Sequence, residues 1–271
     1  MKVDVLSFMR VAGILGAIVI GSLNVASSQV VSANSVEPTV YAYCQQFQTL
    51  YTLIREQRVA PDSARMAFSG IMKGLQERFR SVDSFQPDSA QRDSLRRTGR
   101  YFAFPLRGYA PSAIGGTHGE GYRGNGFDLF DYNVRGSHPA QDIFISDRNQ
   151  DYLDDRTRQP VDILSMSNGL VLGIETGWLP GSEYRGGNWI WIYDPTLHGL
   201  FYYAHNSHIT VAPGQWVQAG QKIGEMGRTG FNAYKSRSPT HLHLMYLQIQ
   251  PDGLPLPLNT YSWLLSARLS R

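Results

Sequence analysis

Two kinds of hydrophobic spacing divide the chain. Val40, Tyr43, Cys44, Phe47, Leu50, Tyr51 and Ile54 recur at intervals of three and four. That is the period of one helix face, and it predicts an amphipathic helix over about 37–57. Val59-Ala60-Pro61-Asp62 interrupts the pattern, and Ala64, Phe68, Ile71, Leu75 and Phe79 then predict a second helix. A short connection makes the two a helical hairpin. The polar stretch that follows, rich in Ser, Asp, Gln and Arg, reads as a linker.

From Tyr101 the pattern changes to glycine, aromatic residues and short alternating runs, the signature of β structure. Asn168-Gly169 lies between apolar segments within 163–174 and predicts a tight hairpin there. Residues 188–193 and 200–205 predict a strand pair, joined through the turn chemistry of Asp194-Pro195 and His198-Gly199. Further short strands, punctuated by glycine, are predicted within 212–227, and another over 241–249. Strands so short and closely spaced predict a mainly β fold, an antiparallel sandwich or folded sheet. The expected organisation is a helical hairpin over 34–82, a linker over 83–100 and a β domain over 101–271.

The first 33 residues have a different texture. Lys2 and Arg10 flank the start, residues 11–20 are apolar apart from Gly13 and Gly16, and small or polar residues lead to Val31-Ser32-Ala33. This is the pattern of a secretory signal peptide, which places the protein in the periplasm or cell envelope, or outside the cell. The apolar run is shorter than the roughly 20 residues that span a bilayer, so a membrane contact is expected only if the segment is retained.

Composition changes this picture little. The 271 residues, 42% hydrophobic and 17% charged, suffice for one large domain or two small ones. A net charge of +3, with no basic stripe interleaved with aromatics, argues against a nucleic-acid partner. Mild basicity could favour an anionic polymer such as cell wall. Cys44 is the one cysteine, so no intrachain disulfide forms and stability rests on the core. Its place on the apolar helix face reads as a small buried hydrophobe, not a nucleophile.

Candidate chemistry lies in the β region. On a strand, His241 and His243 share one face while Leu242 and Leu244 point to the other. His138 and Asp142 lie about a hundred residues upstream. A catalytic zinc ion takes three nitrogen or oxygen ligands and keeps a position open for water, and His138, Asp142 and His243 could supply that set. The reaction also needs groups to move a proton and to meet the developing oxyanion. His205 and His241 are the candidates.

His138-x-x-x-Asp142, Tyr203-Ala204-His205 and His241-Leu242-His243 are joined by Gly214-Gln-x-Val-x-Ala-Gly220-Gln-x-Ile-Gly224, Gly227-x-Thr-Gly230 and Ser238-Pro-Thr-His-Leu-His243. In this order the motifs resemble the lysostaphin-like zinc metallopeptidases that cut peptidoglycan peptides, over about 104–250. The resemblance implies an antiparallel β domain with its cleft above the central sheet. It implies zinc held by His138, Asp142 and His243, with catalytic roles for His205 and His241. It also implies an exported endopeptidase whose substrate is a peptidoglycan cross-link peptide.

Pro139, Ala140 and Gln141 stand where the common form has glycine between the first histidine and the aspartate, and residues 147–188 are longer than in the shortest members. Both changes bear on substrate choice. The alternative is a non-catalytic relative that binds wall or activates another hydrolase. Such a relative would be expected to lose site residues, and this chain keeps all five. His118, His198 and His208 read as ordinary surface or turn histidines.

Asp147, Asn149, Asp151 and Asp155 follow calcium-loop spacing, but Tyr152 replaces the expected glycine and Arg158 the expected glutamate. A self-paired acidic loop is the reading favoured over bound Ca2+. The hairpin, in turn, is expected to pack against the β domain rather than to cover its cleft.

Overall fold

The predicted helices form as α1 (Pro38–Arg55) and α2 (Pro61–Arg80). Pro61 opens α2 where a missing N–H breaks no intrahelical bond. The computed structural model describes residues 38–80, 88–98, 101–119, 121–133 and 136–270; the signal-peptide expectation lies outside them. Cys44, Phe47 and Ile54 of α1 meet Phe68, Met72 and Leu75 of α2 in one buried cluster. Burial pushes the Cys44 thiol up to about 11, as suits a packed hydrophobe.

The stretch read as a linker instead carries a third helix, α3 (Ser89–Thr98). Its sequence hides it because no apolar stripe runs along it. It is held largely by Arg96, whose guanidinium sits 5.8 Å from the Trp263 ring centre and hydrogen-bonds Gln248 Oε1.

Ten strands follow among the described residues, and every named pairing is antiparallel. They are β1 (Ala140–Phe144), β2 (Asp162–Leu164), β3 (Gly169–Glu175), β4 (Trp189–Asp194) and β5 (Gly199–Ala204). After these come β6 (Asn206–Ile209), β7 (Trp216–Val217), β8 (Lys222–Met226), β9 (His241–Ile249) and β10 (Pro255–Leu258). The larger sheet runs β1-β9-β5-β4-β3-β7, with β10 also on β9, and β2-β8-β6 form a smaller sheet. A short helix, α4 (Tyr261–Ser266), closes the chain.

The central strands are buried on both faces. Leu172, Trp191, Tyr202 and Leu247 face α1 and α2, whereas Ile192, Tyr203, Leu242 and Leu244 face Ile163 and Ile223 of the smaller sheet. The expected mainly antiparallel β domain preceded by a helical hairpin is therefore the observed fold. Gln48 stitches the two parts together: its amide donates to Ile174 O (3.0 Å) and accepts from Ile174 N (2.9 Å). Residues Val36–Arg271 form one compact unit that includes the hairpin. Among the described residues no helix is long and apolar enough to cross a membrane.

The predicted β4–β5 pair is present, with His198 in the left-handed region (φ 52°) at its turn. The hairpin predicted at Asn168-Gly169 is absent. β2 pairs with β8 and β3 with β4 and β7, so this dipeptide turns the corner between two sheets. A tight hairpin there would need positive φ at both residues, and neither has it. Asn168 Oδ1 is instead held by the Ala219 amide at 2.8 Å.

Because hairpin and sheet share a core, Phe47→Ala should lower stability by about 3–5 kcal/mol. Urea denaturation should show one cooperative transition moved to lower denaturant; two separate transitions would mean the hairpin folds independently.

Candidate active site

The register of β9 assembles the site. β1 pairs with it so that Asp142 lies opposite His243, and β5 flanks its other edge with Ala204 opposite His243. Opposed residues on neighbouring strands project to the same face. Asp142 and His243 thus share one face with Ala204, while Leu242 and Leu244 are fully buried on the far face. Alternation alone would turn the next residue, His205, away. It lies outside β5 at φ 72°, however, and its ring comes back to the His243 side.

His138 joins Asp142 and His243 from just before β1. Its Nε2 lies 3.3 Å from Asp142 Oδ2, and His243 Nδ1 lies 3.1 Å from Asp142 Oδ1. His138 Nδ1 sits 2.7 Å from the carbonyl of Gly121. A carbonyl only accepts, so Nδ1 carries the proton and Nε2 presents a lone pair. One donor atom each from His138, Asp142 and His243 falls within 4.8 Å of the others.

Burial disfavours a charged Asp142, but the imidazoles of His138 and His243 beside it outweigh that and hold the carboxyl far below its usual range. Burial keeps His243 low. His138 feels the same burial, yet the Asp142 carboxylate raises it. A nitrogen–oxygen–nitrogen donor set of this kind fits a divalent cation such as zinc.

His205 and His241 stand beside the trio. Their Nδ1 atoms donate to Thr229 O (2.7 Å) and Pro239 O (2.8 Å), which leaves each Nε2 available. Their ring centres are 4.9 Å apart, and His205 lies 5.8 Å from His243. Burial, reinforced by His241 and His243, lowers the His205 pKa well below the usual value and keeps the ring neutral. His205 also adopts φ 72°, a strained conformation for a residue with a side chain. Its backbone N–H is held by Gly186 O at 3.1 Å.

All five of these residues line one cavity of about 560 Å³. The cavity wall also includes Tyr51 and Arg55 from α1, with Tyr132, Arg185 and Trp189. The sequence reading missed the α1 contribution. Its signal was an i, i+4 pair at the end of that helix, which periodicity alone assigns to packing. His118, His198 and His208 do not line the cavity.

The acidic loop does other work, and the calcium alternative is not supported. Asp147 accepts from the Asp151 and Tyr152 amides and from the Thr240 hydroxyl (2.7 Å). Asp155 accepts from Ser146 Oγ and Arg148 N, and Asp151 from Asn149, Leu153 N and Arg158. These carboxylates are committed to the fold. The Asp147–Thr240 bond, backed by Arg228 on Thr240 (3.0 Å), pins the start of β9 next to His241.

Residues 153–253 match Peptidase family M23, which bears out the lysostaphin-like resemblance drawn from the motifs. The matched segment holds His205, His241 and His243, while His138 and Asp142 precede it. Among solved structures, the chain is similar to a candidate glycyl-glycine endopeptidase from Ruminococcus gnavus. That match has 22% identity and a TM-score of 0.44, covering 87% of this chain and 90% of that one. It is also similar to lysostaphin, the antimicrobial peptidase of Staphylococcus simulans, at 26% identity and a TM-score of 0.35, over 54% of this chain and 48% of that one. A zinc-containing peptidase from Vibrio cholerae matches at 20% identity and a TM-score of 0.35, over 63% and 41% of the two chains.

Gly230 tests how tightly His205 is held. It has φ +116°, and a Cβ there would strike Arg185 O and come within 2.9 Å of His205 Nδ1. Gly230→Ala should cost about 1–3 kcal/mol from backbone strain alone and should displace the imidazole. Urea denaturation and the ring NMR shifts of His205 check both effects; a variant unchanged in each would show that the contact is slack.

Proposed function

We propose that this chain, which matches Peptidase family M23 over residues 153–253, is an exported zinc-dependent endopeptidase that hydrolyses peptide bonds in peptidoglycan cross-links. The observation that carries this reading is the convergence of His138, Asp142 and His243 donor atoms, within 4.8 Å of one another, on a cavity that His205 and His241 also line. The substrate class rests on the lysostaphin-like motifs, and export rests on the signal pattern of residues 1–33.

His138, Asp142 and His243 would hold the zinc. When bound, it lowers the pKa of a water from 15.7 to about 7 and polarises the scissile carbonyl. The remaining work belongs to side chains of the chain. His205 and His241, each anchored through Nδ1, present two Nε2 atoms to the reacting group. Between them they take the proton released by the nucleophile and return it to the leaving amine. Aromatic walls formed by Tyr51, Trp189 and Tyr202 limit water around the bond being cut.

Two variants separate binding from turnover. His243→Ala should abolish both zinc stoichiometry and cleavage. His241→Ala should keep close to one zinc per chain while kcat falls about 100-fold or more. Metal analysis and mass spectrometry of muropeptides released from purified wall provide the readouts. Wild-type cleavage by His243→Ala would overturn the assignment, and cleavage that survives chelation would overturn the role of zinc.

A further inference from the structure

Arg55 is a costly residue for its position. Only 6% of its side chain is exposed, and it borders the same cavity as the five site residues. Its one ion-pair contact is a single bond from Nη2 to Glu175 Oε2 at 2.8 Å, with Glu175 itself 26% exposed. The guanidinium carbon lies 4.6 Å from the Tyr184 ring centre, 5.3 Å from Trp189 and 5.9 Å from Tyr51. These are contacts with π faces, and among the described residues the guanidinium makes no hydrogen bond to the Tyr51 or Tyr184 hydroxyl. Among the described residues, no acceptor takes the buried Nε–H of Arg55, and none takes the buried Nε1–H of Trp189 beside it.

A guanidinium used only to fasten α1 to β3 would be a poor choice. Burying a charge with one imperfect partner costs several kcal/mol, and an apolar side chain of similar volume often packs as well or better. A helix C-terminus favours a cation, but that preference is met equally by an exposed one. A buried guanidinium on a cavity wall, with one carboxylate partner and its Nε–H unsatisfied, instead describes a site with capacity for a second acceptor. The group that matches a guanidinium in shape and charge is a carboxylate.

We propose that Arg55, delivered by α1 to the wall of the cavity, binds a carboxylate of the substrate peptide through its guanidinium. The inference rests on the peptidase reading above and narrows it. The preferred substrate is a cross-link peptide with a free carboxylate next to the cleaved bond, not an uncharged glycine bridge. It also gives the hairpin a role: α1 is a substrate-binding wall. Ties on separate elements hold it there, namely Gln48 to Ile174, Arg65 to Asp128, Gln57 to Asn133 and Ser69 to Asp252.

The test uses the full mature protein and two synthetic cross-link peptides, identical except for a carboxylate or a carboxamide beside the cleaved bond. Both kcat/KM and calorimetric Kd are measured. The wild type should favour the carboxylate at least about tenfold, the scale of one charge-assisted hydrogen bond. Arg55→Gln should bring the ratio below about twofold, and Arg55→Lys should fall between. A wild-type ratio near one, or an undiminished ratio in Arg55→Gln, would overturn the proposal.

Should Arg55→Gln fail to fold by its thermal melt, Glu175→Gln decides. Removing the internal competitor should raise the ratio, and an unchanged ratio would refute the idea. If neither peptide is cut, the Kd ratio still reads the site. A carboxylate preference that Arg55→Gln erases would then uphold this inference while the peptidase reading falls.

Discussion

The pairing of β1 with β9 is the constraint on which the rest depends. Asp142 faces His243 only in the observed register. Because side chains alternate, a slip of one residue would send Asp142 to the opposite face, into the apolar layer between the two sheets. The register is enforced from both sides of β9. Leu242 and Leu244 are fully buried below the sheet, while Met245 and Leu247 pack under the helices above it. A polar centre is thus positioned by apolar side chains that take no part in chemistry.

The same logic explains why the hairpin and the cavity cannot be treated separately. The sheet face that carries the histidines at one end carries Trp191, Tyr202 and Leu247 further along, and these need cover from water. α1 and α2 provide it. Once α1 lies there, its last turn necessarily reaches the cavity, and Tyr51 and Arg55 become part of its wall. Structural cover and substrate contact are consequences of one packing arrangement.

Features set by local periodicity were legible in the sequence. The two helices followed from apolar spacing, and the shared face of His241 and His243 followed from strand alternation. The motif pattern also gave the β domain. What stayed hidden depends on partners far along the chain. α3 has no apolar stripe because Arg96 docks it against Trp263 and Gln248. Asn168-Gly169 looks like a hairpin turn until its flanking strands are seen to belong to different sheets. Asp147 looks like a calcium ligand until Thr240, 93 residues on, takes its oxygen. Nothing near Arg55 in sequence announces Glu175 or Trp189.

The chain separation across these contacts has a consequence for biosynthesis. Gln48 finds its partner 126 residues downstream, and Asp142 finds His243 only 101 residues later. Structures built from such distant pairings form slowly and late. α1 and α2 are made before the strands that cover their apolar faces. Until β9 has been made, His138 and Asp142 therefore lack the third donor, His243.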